Sequence, residues 1–138
     1  MTKTLLLNLF KTFILSVVIS TAISCIYYVA VIKGGDYGKA VPVIISAVFY
    51  LNGILLVMAV PSLFLSNPAI WANPAWRMFL YFGGPLAFVI TNFIAPKTGP
   101  NNVIYIATGV VFLIIHTIFY YMLMKGSKLE NQKPKTRK

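Results

Sequence analysis

Long apolar blocks alternate with short polar ones along this chain, and within the blocks no face is reserved for charge. From Thr12 to Ile32 large aliphatic side chains fall on every face of a helix, relieved only by small or uncharged polar residues such as Ser16, Ser20 and Ser24. A surface helix of a soluble protein keeps a charged stripe opposite its apolar one. Ala40 to Leu65, Ala75 to Ala95 and Val103 to Met124 repeat the pattern, with Arg77 the one Lys, Arg, Asp or Glu among all four blocks. Each block exceeds the roughly 18 residues that mark a candidate membrane helix. The pattern predicts an all-α integral membrane protein, a four-transmembrane-helix bundle with spans at 12–32, 40–65, 75–95 and 103–124. Residues 1–124 then form one membrane domain and residues 125–138 a basic tail. The second block is longer than a span needs, so it is expected to tilt or to end early at Pro61, which lacks a backbone donor.

Composition agrees with the pattern: 59% of the residues are hydrophobic and 10% charged, against about 25% charged in an ordinary soluble domain. Charge then sets the expected orientation. An even number of spans puts both ends on one side. That side holds Lys3, Lys11, Arg77 and the six basic residues of the tail, against Lys33, Lys39 and Lys97 opposite. By the positive-inside rule both termini face the cytoplasm, in a cytoplasmic (inner) membrane crossed several times. Aromatic residues match this layout, with Trp71, Trp76, Tyr120 and Tyr121 at the inner boundary and Tyr27, Tyr28 and Tyr105 at the outer. Lys125, Lys128, Lys133, Lys135, Arg137 and Lys138 follow an apolar span directly. Their expected partners are the anionic headgroups of the lipid bilayer, and no nucleic acid is expected.

Two local motifs read plainly. Ala22-Ile23-Ser24-Cys25 has the letters of a lipoprotein cleavage site, but Ile26 to Ile32 continue the apolar run into a full span. The middle loop repeats Asn67-Pro68-Ala69 and Asn73-Pro74-Ala75, the letters of the aquaporin signature. In aquaporins the two copies lie far apart and enter from opposite membrane faces, whereas here they are neighbours on one face. Asn is a favoured N-cap and Pro a favoured first helical residue, so the repeat predicts two helix starts. Small multidrug resistance transporters are similar to this chain in span number and size. They depend on a membrane-embedded glutamate, and both acids here, Asp36 and Glu130, lie outside the spans.

Intramembrane polar residues are costly and mark the place to look for chemistry. Asn52, Asn92 and His116 are the candidate intramembrane site. Asn52 and His116 fall at nearly the same depth and can meet, as structural glue between helices or as a proton relay. One His and one Cys cannot assemble a zinc site with three protein ligands, and no acid stands behind His116 to orient it as a base for a serine. The inventory predicts no cofactor, no metal and no enzyme. Ser16, Ser20 and Ser24 recur every fourth residue, a candidate helix-packing face that meets either this chain's own helices or another protein. Gly83-Gly84-Pro85 weakens the third span at its centre and frees carbonyls near Leu80 and Tyr81. The function expected is non-catalytic binding to another membrane protein, as an accessory, assembly or immunity-type subunit, or else self-association. The alternative is a small oligomeric transporter or channel with a polar path through Asn52, Gly83, Gly84, Asn92 and His116.

Overall fold

A computed structural model describes residues 1–32, 35–96, 98–99 and 101–131, with side chains through Ser127. Regular structure among these residues is all helical: α1 (Thr2–Val31), α2 (Tyr37–Ala59), a 3₁₀ segment (Val60–Ser66), the short α3 (Pro68–Ala72), α4 (Pro74–Ile94) and α5 (Asn101–Asn131). Four stretches are long and apolar enough to cross a membrane: Thr2–Val31, Tyr37–Ser66, Pro74–Ile94 and Asn101–Ser127.

The boundaries depart from the apolar blocks where packing or capping overrides hydropathy. α1 begins ten residues before the expected span because Leu5 and Leu9 are buried, Leu5 in a cluster with Leu65, Tyr81 and Phe82, and Leu9 with Leu55, Ala59 and Phe112. Lys3 and Lys11 stay on the exposed side of the same helix. α2 starts at Tyr37, where Asp36 caps it by accepting from the Lys39 amide at 3.3 Å. The α-helix stops at Ala59, and the chain goes on as a tighter 3₁₀ segment containing Pro61. α5 continues through the first half of the expected tail to Asn131, since that stretch contains no proline. Lys133, Lys135, Arg137 and Lys138 lie outside the described residues, as do Lys33 and Lys97; Lys125 is exposed and Lys128 has helical backbone. In the middle loop Asn67 accepts from the Ala69 amide at 3.0 Å and Asn73 from the Ala75 amide at 3.0 Å, so each repeat opens a helix.

Contacts order the two ends. Leu5 near the start of α1 meets the end of the 3₁₀ segment and the first half of α4, and Arg77 of α4 reaches Tyr120 late in α5. This is the termini-bearing end. At the far end, the last turns of α1 stand beside the starts of α2 and α5 around one cleft. Every pair among the four long helices approaches closely along the backbone except α1 with α4, which share only the side-chain cluster around Leu5.

Burial is inverted relative to a soluble protein. On α1, Ser16, Ser20 and Ser24 are buried while Val18 is 62% exposed and Ile26 69% exposed. Small polar groups face the neighbouring helices and large apolar ones face outward, as expected when the surroundings are hydrocarbon and close backbone approach drives packing. α4 meets α2 in the same manner: a Cβ placed on Gly84 would collide with the carbonyl oxygen of Met58. Gly109 on α5 leaves similarly little room, 3.0 Å from a built Cβ to the Val89 side chain.

Candidate functional site: a polar seam and its mouth

The interior contains two polar systems of different character. The first belongs to the termini-bearing half and is organised by Pro85. Proline has no N–H, so the carbonyl of Tyr81, four residues earlier, loses its helical donor. His116 on α5 replaces it: its Nε2 lies 3.0 Å from that oxygen. Because a carbonyl only accepts, Nε2 carries the proton. The imidazole also lies flat on the Tyr81 ring, with centroids 4.0 Å apart and planes at 17°, and Phe82 and Phe112 close around it. α4 consequently runs unbroken through Gly83-Gly84-Pro85. The expected bond between Asn52 and His116 is not formed. Asn52 Nδ2 donates to its own helix at Val48 O, 2.9 Å away, and His116 Nε2 donates to the freed Tyr81 carbonyl instead.

The second system runs through the other half. Leu9, Leu55, Ala59 and Phe112 form one apolar layer. Measured from there at about 1.5 Å per residue, Ser16, Asn52 and Thr108 stand roughly 5–10 Å toward the far end, followed on α1 by Ser20 and Ser24. All five residues are buried, and Ser16 Oγ, Ser20 Oγ, Ser24 Oγ, Asn52 Oδ1 and Thr108 Oγ1 have no hydrogen-bond partner in the protein. Buried polar atoms in native proteins are normally paired, so a line of unpaired ones calls for a reason. The seam ends in a cleft of about 380 Å³ lined by Ser24, Tyr27, Tyr28, Asp36, Lys39 and Asn101 among apolar neighbours. Ser24, 1% exposed, belongs to both. At the mouth the Asp36 carboxylate and the Lys39 ammonium pair at 3.4 Å, and the Tyr28 and Tyr37 rings meet edge to face.

The candidate residues therefore divide among different places. Ser16, Ser20 and Ser24 face this chain's own α2 and α5 side, and α1 makes contact with both helices. Asn52 joins the seam. His116 belongs to the aromatic system. Asn92 donates to Phe88 O of its own helix at 2.8 Å and borders a separate groove near Tyr105. Gly83 borders an outward groove between α4 and α5, and Gly84 is the α2 crossing point. Asn52, Gly83, Gly84, Asn92 and His116 thus lie on several faces, because helix rotation and not depth decides which residues converge. Among the described residues, no group of three His, Cys, Asp or Glu side chains is placed to hold a metal.

Sequence reasoning passed over Thr108, although Thr108, Phe112, His116 and Tyr120 recur every fourth residue and mark the inward face of α5. Thr12 likewise extends the serine period by one step, is fully buried and donates to Asn8 O at 2.8 Å. Arg77 was counted only as a charge. It donates from Nε to Tyr120 Oη at 3.0 Å and from Nη1 to Trp71 O at 3.2 Å. The chain matches no protein-family model, and no curated protein or solved structure is significantly similar to it.

Proposed function

We propose that the protein is a non-catalytic, multi-pass protein of a bacterial cytoplasmic membrane that admits a small polar solute from the outer side along the serine-lined seam. It would act as a small transporter or channel and work as an oligomer, since four helices enclose little room. Both termini lie in the cytoplasm in this reading, and the cleft by Ser24 faces outward. The observation that carries the proposal is that Ser24 borders the cleft while its Oγ, those of Ser20 and Ser16 one and two turns along the same helix face, Asn52 Oδ1 and Thr108 Oγ1 are all buried and unpaired in the protein. An unpaired polar group in a dry interior costs about 1–3 kcal/mol, a cost removed when water or a polar solute visits. A purely structural helix contact needs none of these oxygens; alanine packs as closely.

The accessory-subunit reading takes its positive support from the serine stripe of α1, which meets either this chain's own helices or another protein. That stripe is occupied within the chain, so the reading keeps only its negative arguments. The tail is proposed to contact anionic headgroups and to fix orientation.

Substituted-cysteine labelling tests the seam. In a Cys25→Ala background, Ser24→Cys and Ser20→Cys are exposed to a small membrane-impermeant methanethiosulfonate from outside. Ser24→Cys is expected to react fastest, Ser20→Cys more slowly, and the outward-facing control Val18→Cys not at all. Reactivity of both serine positions no greater than the control sinks the proposal. Labelling only from the cytoplasmic side reverses the orientation.

A further inference from the structure

Arg77 is fixed by partners that carry no charge. Tyr120 Oη and Trp71 O accept its Nε and Nη1 protons at 3.0 and 3.2 Å, and its guanidinium carbon stands 5.2 Å from the centre of the Trp71 ring. Three neutral contacts hold the plane of the group while leaving the Nη2 edge and the second Nη1 hydrogen free to donate. The chain has two acids to offer as counter-charge. Asp36 is at the far end, paired with Lys39 at 3.4 Å. Glu130 is ten residues beyond Tyr120 on α5, about 15 Å further along the axis. Among the residues whose side chains are described, no carboxylate meets this half-buried guanidinium, which its neutral partners hold in one orientation.

Its surroundings indicate what could meet it. Trp71, Trp76, Tyr120 and Tyr121 gather at this end of the helices, and Trp and Tyr favour the headgroup level of a membrane. A guanidinium presents parallel N–H donors that fit two oxygens of a phosphate at once, which an ammonium cannot do. We infer that Arg77 anchors a site for one phosphate group, that of an anionic phospholipid in the leaflet on the termini-bearing side, with Trp71 and Tyr120 as positioning residues. The site differs in kind from the lysines of the tail, whose attraction is diffuse, and it does not depend on the seam carrying a solute.

The test uses the full chain with Trp76→Phe, which leaves Trp71 as its one tryptophan. In neutral detergent micelles the fluorescence of Trp71 is titrated with brominated phosphatidylglycerol or brominated phosphatidylcholine. Phosphatidylglycerol is expected to reach half-maximal quenching at about one-tenth of the phosphatidylcholine concentration, because both carry a phosphate but the choline ammonium opposes the guanidinium and cancels the net charge of the second. Arg77→Gln should bring the two lipids level, and Arg77→Lys should keep part of the preference. Tyr120→Phe, which leaves the charge and removes the hydroxyl that positions it, should lower the preference several-fold, and it serves if Arg77→Gln does not fold. Displacement of the lipid by inorganic phosphate makes free phosphate a second source for the site, and no displacement leaves the lipid as its ligand. Equal quenching by both lipids in the parent protein, or a preference that survives Arg77→Gln, overturns the inference. Either result reduces Arg77 to a cation reaching for the interface.

Discussion

The two halves of this helical assembly differ in how many of their buried polar groups bond across elements, although Ser62 Oγ and His116 Nδ1 of the termini-bearing half also lack a partner in the protein. In the termini-bearing half, His116 bonds from one element to another at the Tyr81 carbonyl, on whose ring it stacks, and Arg77 bonds to Tyr120 and to the Trp71 carbonyl. In the far half, Ser16, Ser20, Ser24, Asn52 Oδ1 and Thr108 are buried and have no hydrogen-bond partner in the protein. The comparison teaches that burial of a polar residue in a membrane helix does not state its job. Paired groups fix how helices sit against one another, whereas unpaired ones are chemistry left available. His116, the most conspicuous residue in the sequence, spans that division: its Nε2 meets the Tyr81 carbonyl and its Nδ1 has no partner in the protein.

The largest effect expected concerns how tightly the paired half is locked. Gly84→Ala drives a methyl into the Met58 backbone, which cannot move aside as a side-chain tip can. A loss of about 3 kcal/mol is expected. Gly83→Ala meets nothing closer than the Phe79 ring at 3.8 Å and should change stability by less than about 0.5 kcal/mol, or raise it through better helix propensity. Thermal unfolding of both variants in the same detergent checks the contrast. Equal losses would show that glycine is needed there for flexibility, not for close approach.

A double-mutant cycle sharpens the assignment of His116. His116→Leu leaves the Tyr81 carbonyl without a donor and should cost about 1–2 kcal/mol. Pro85→Ala restores the backbone N–H that the carbonyl lost, so His116→Leu should cost about 1 kcal/mol less in that background. Strict additivity would mean that His116 is not serving the proline gap.

The smallest effects belong to the seam. Ser20→Ala and Thr108→Val remove unpaired hydroxyls with little change of shape, so stability should stay within about 0.5 kcal/mol or rise slightly. Reactivity of the neighbouring Ser24→Cys toward the aqueous reagent should fall as the path becomes apolar. A destabilisation above about 1 kcal/mol for either substitution would place those hydroxyls in structural bonds and erase the difference between the halves.

Legibility in the sequence followed the range of the interaction concerned. The two Asn-Pro helix starts were readable because an N-cap and its amide lie two or three residues apart, as Asn73 with Ala75 and Trp76 shows. The carbonyl freed by Pro85 was readable too, since the loss is local to one helix. Its new donor was not: His116 is 35 residues away, and only the rotation of α5 against α4 aims Nε2 at Tyr81. Serines at every fourth position announced a close-packed face on α1. The faces opposite, on α2 and α5, depended on which neighbours the helix chose.

The sequence by itself determined the class of molecule and the number of helices long enough to cross a membrane, because an apolar run is judged against a fixed hydrocarbon thickness residue by residue. It also determined where two helices begin. Only the tertiary structure decided that α1 starts at Thr2, that α5 extends to Asn131, that His116 serves Tyr81 rather than Asn52, and that the buried serine face of α1 ends with Ser24 at a cleft. Those outcomes turn on the rotation and register of packed helices. They are fixed by contacts such as Gly84 with Met58 and Leu9 with Phe112, between residues distant in the chain, and no local pattern encodes them.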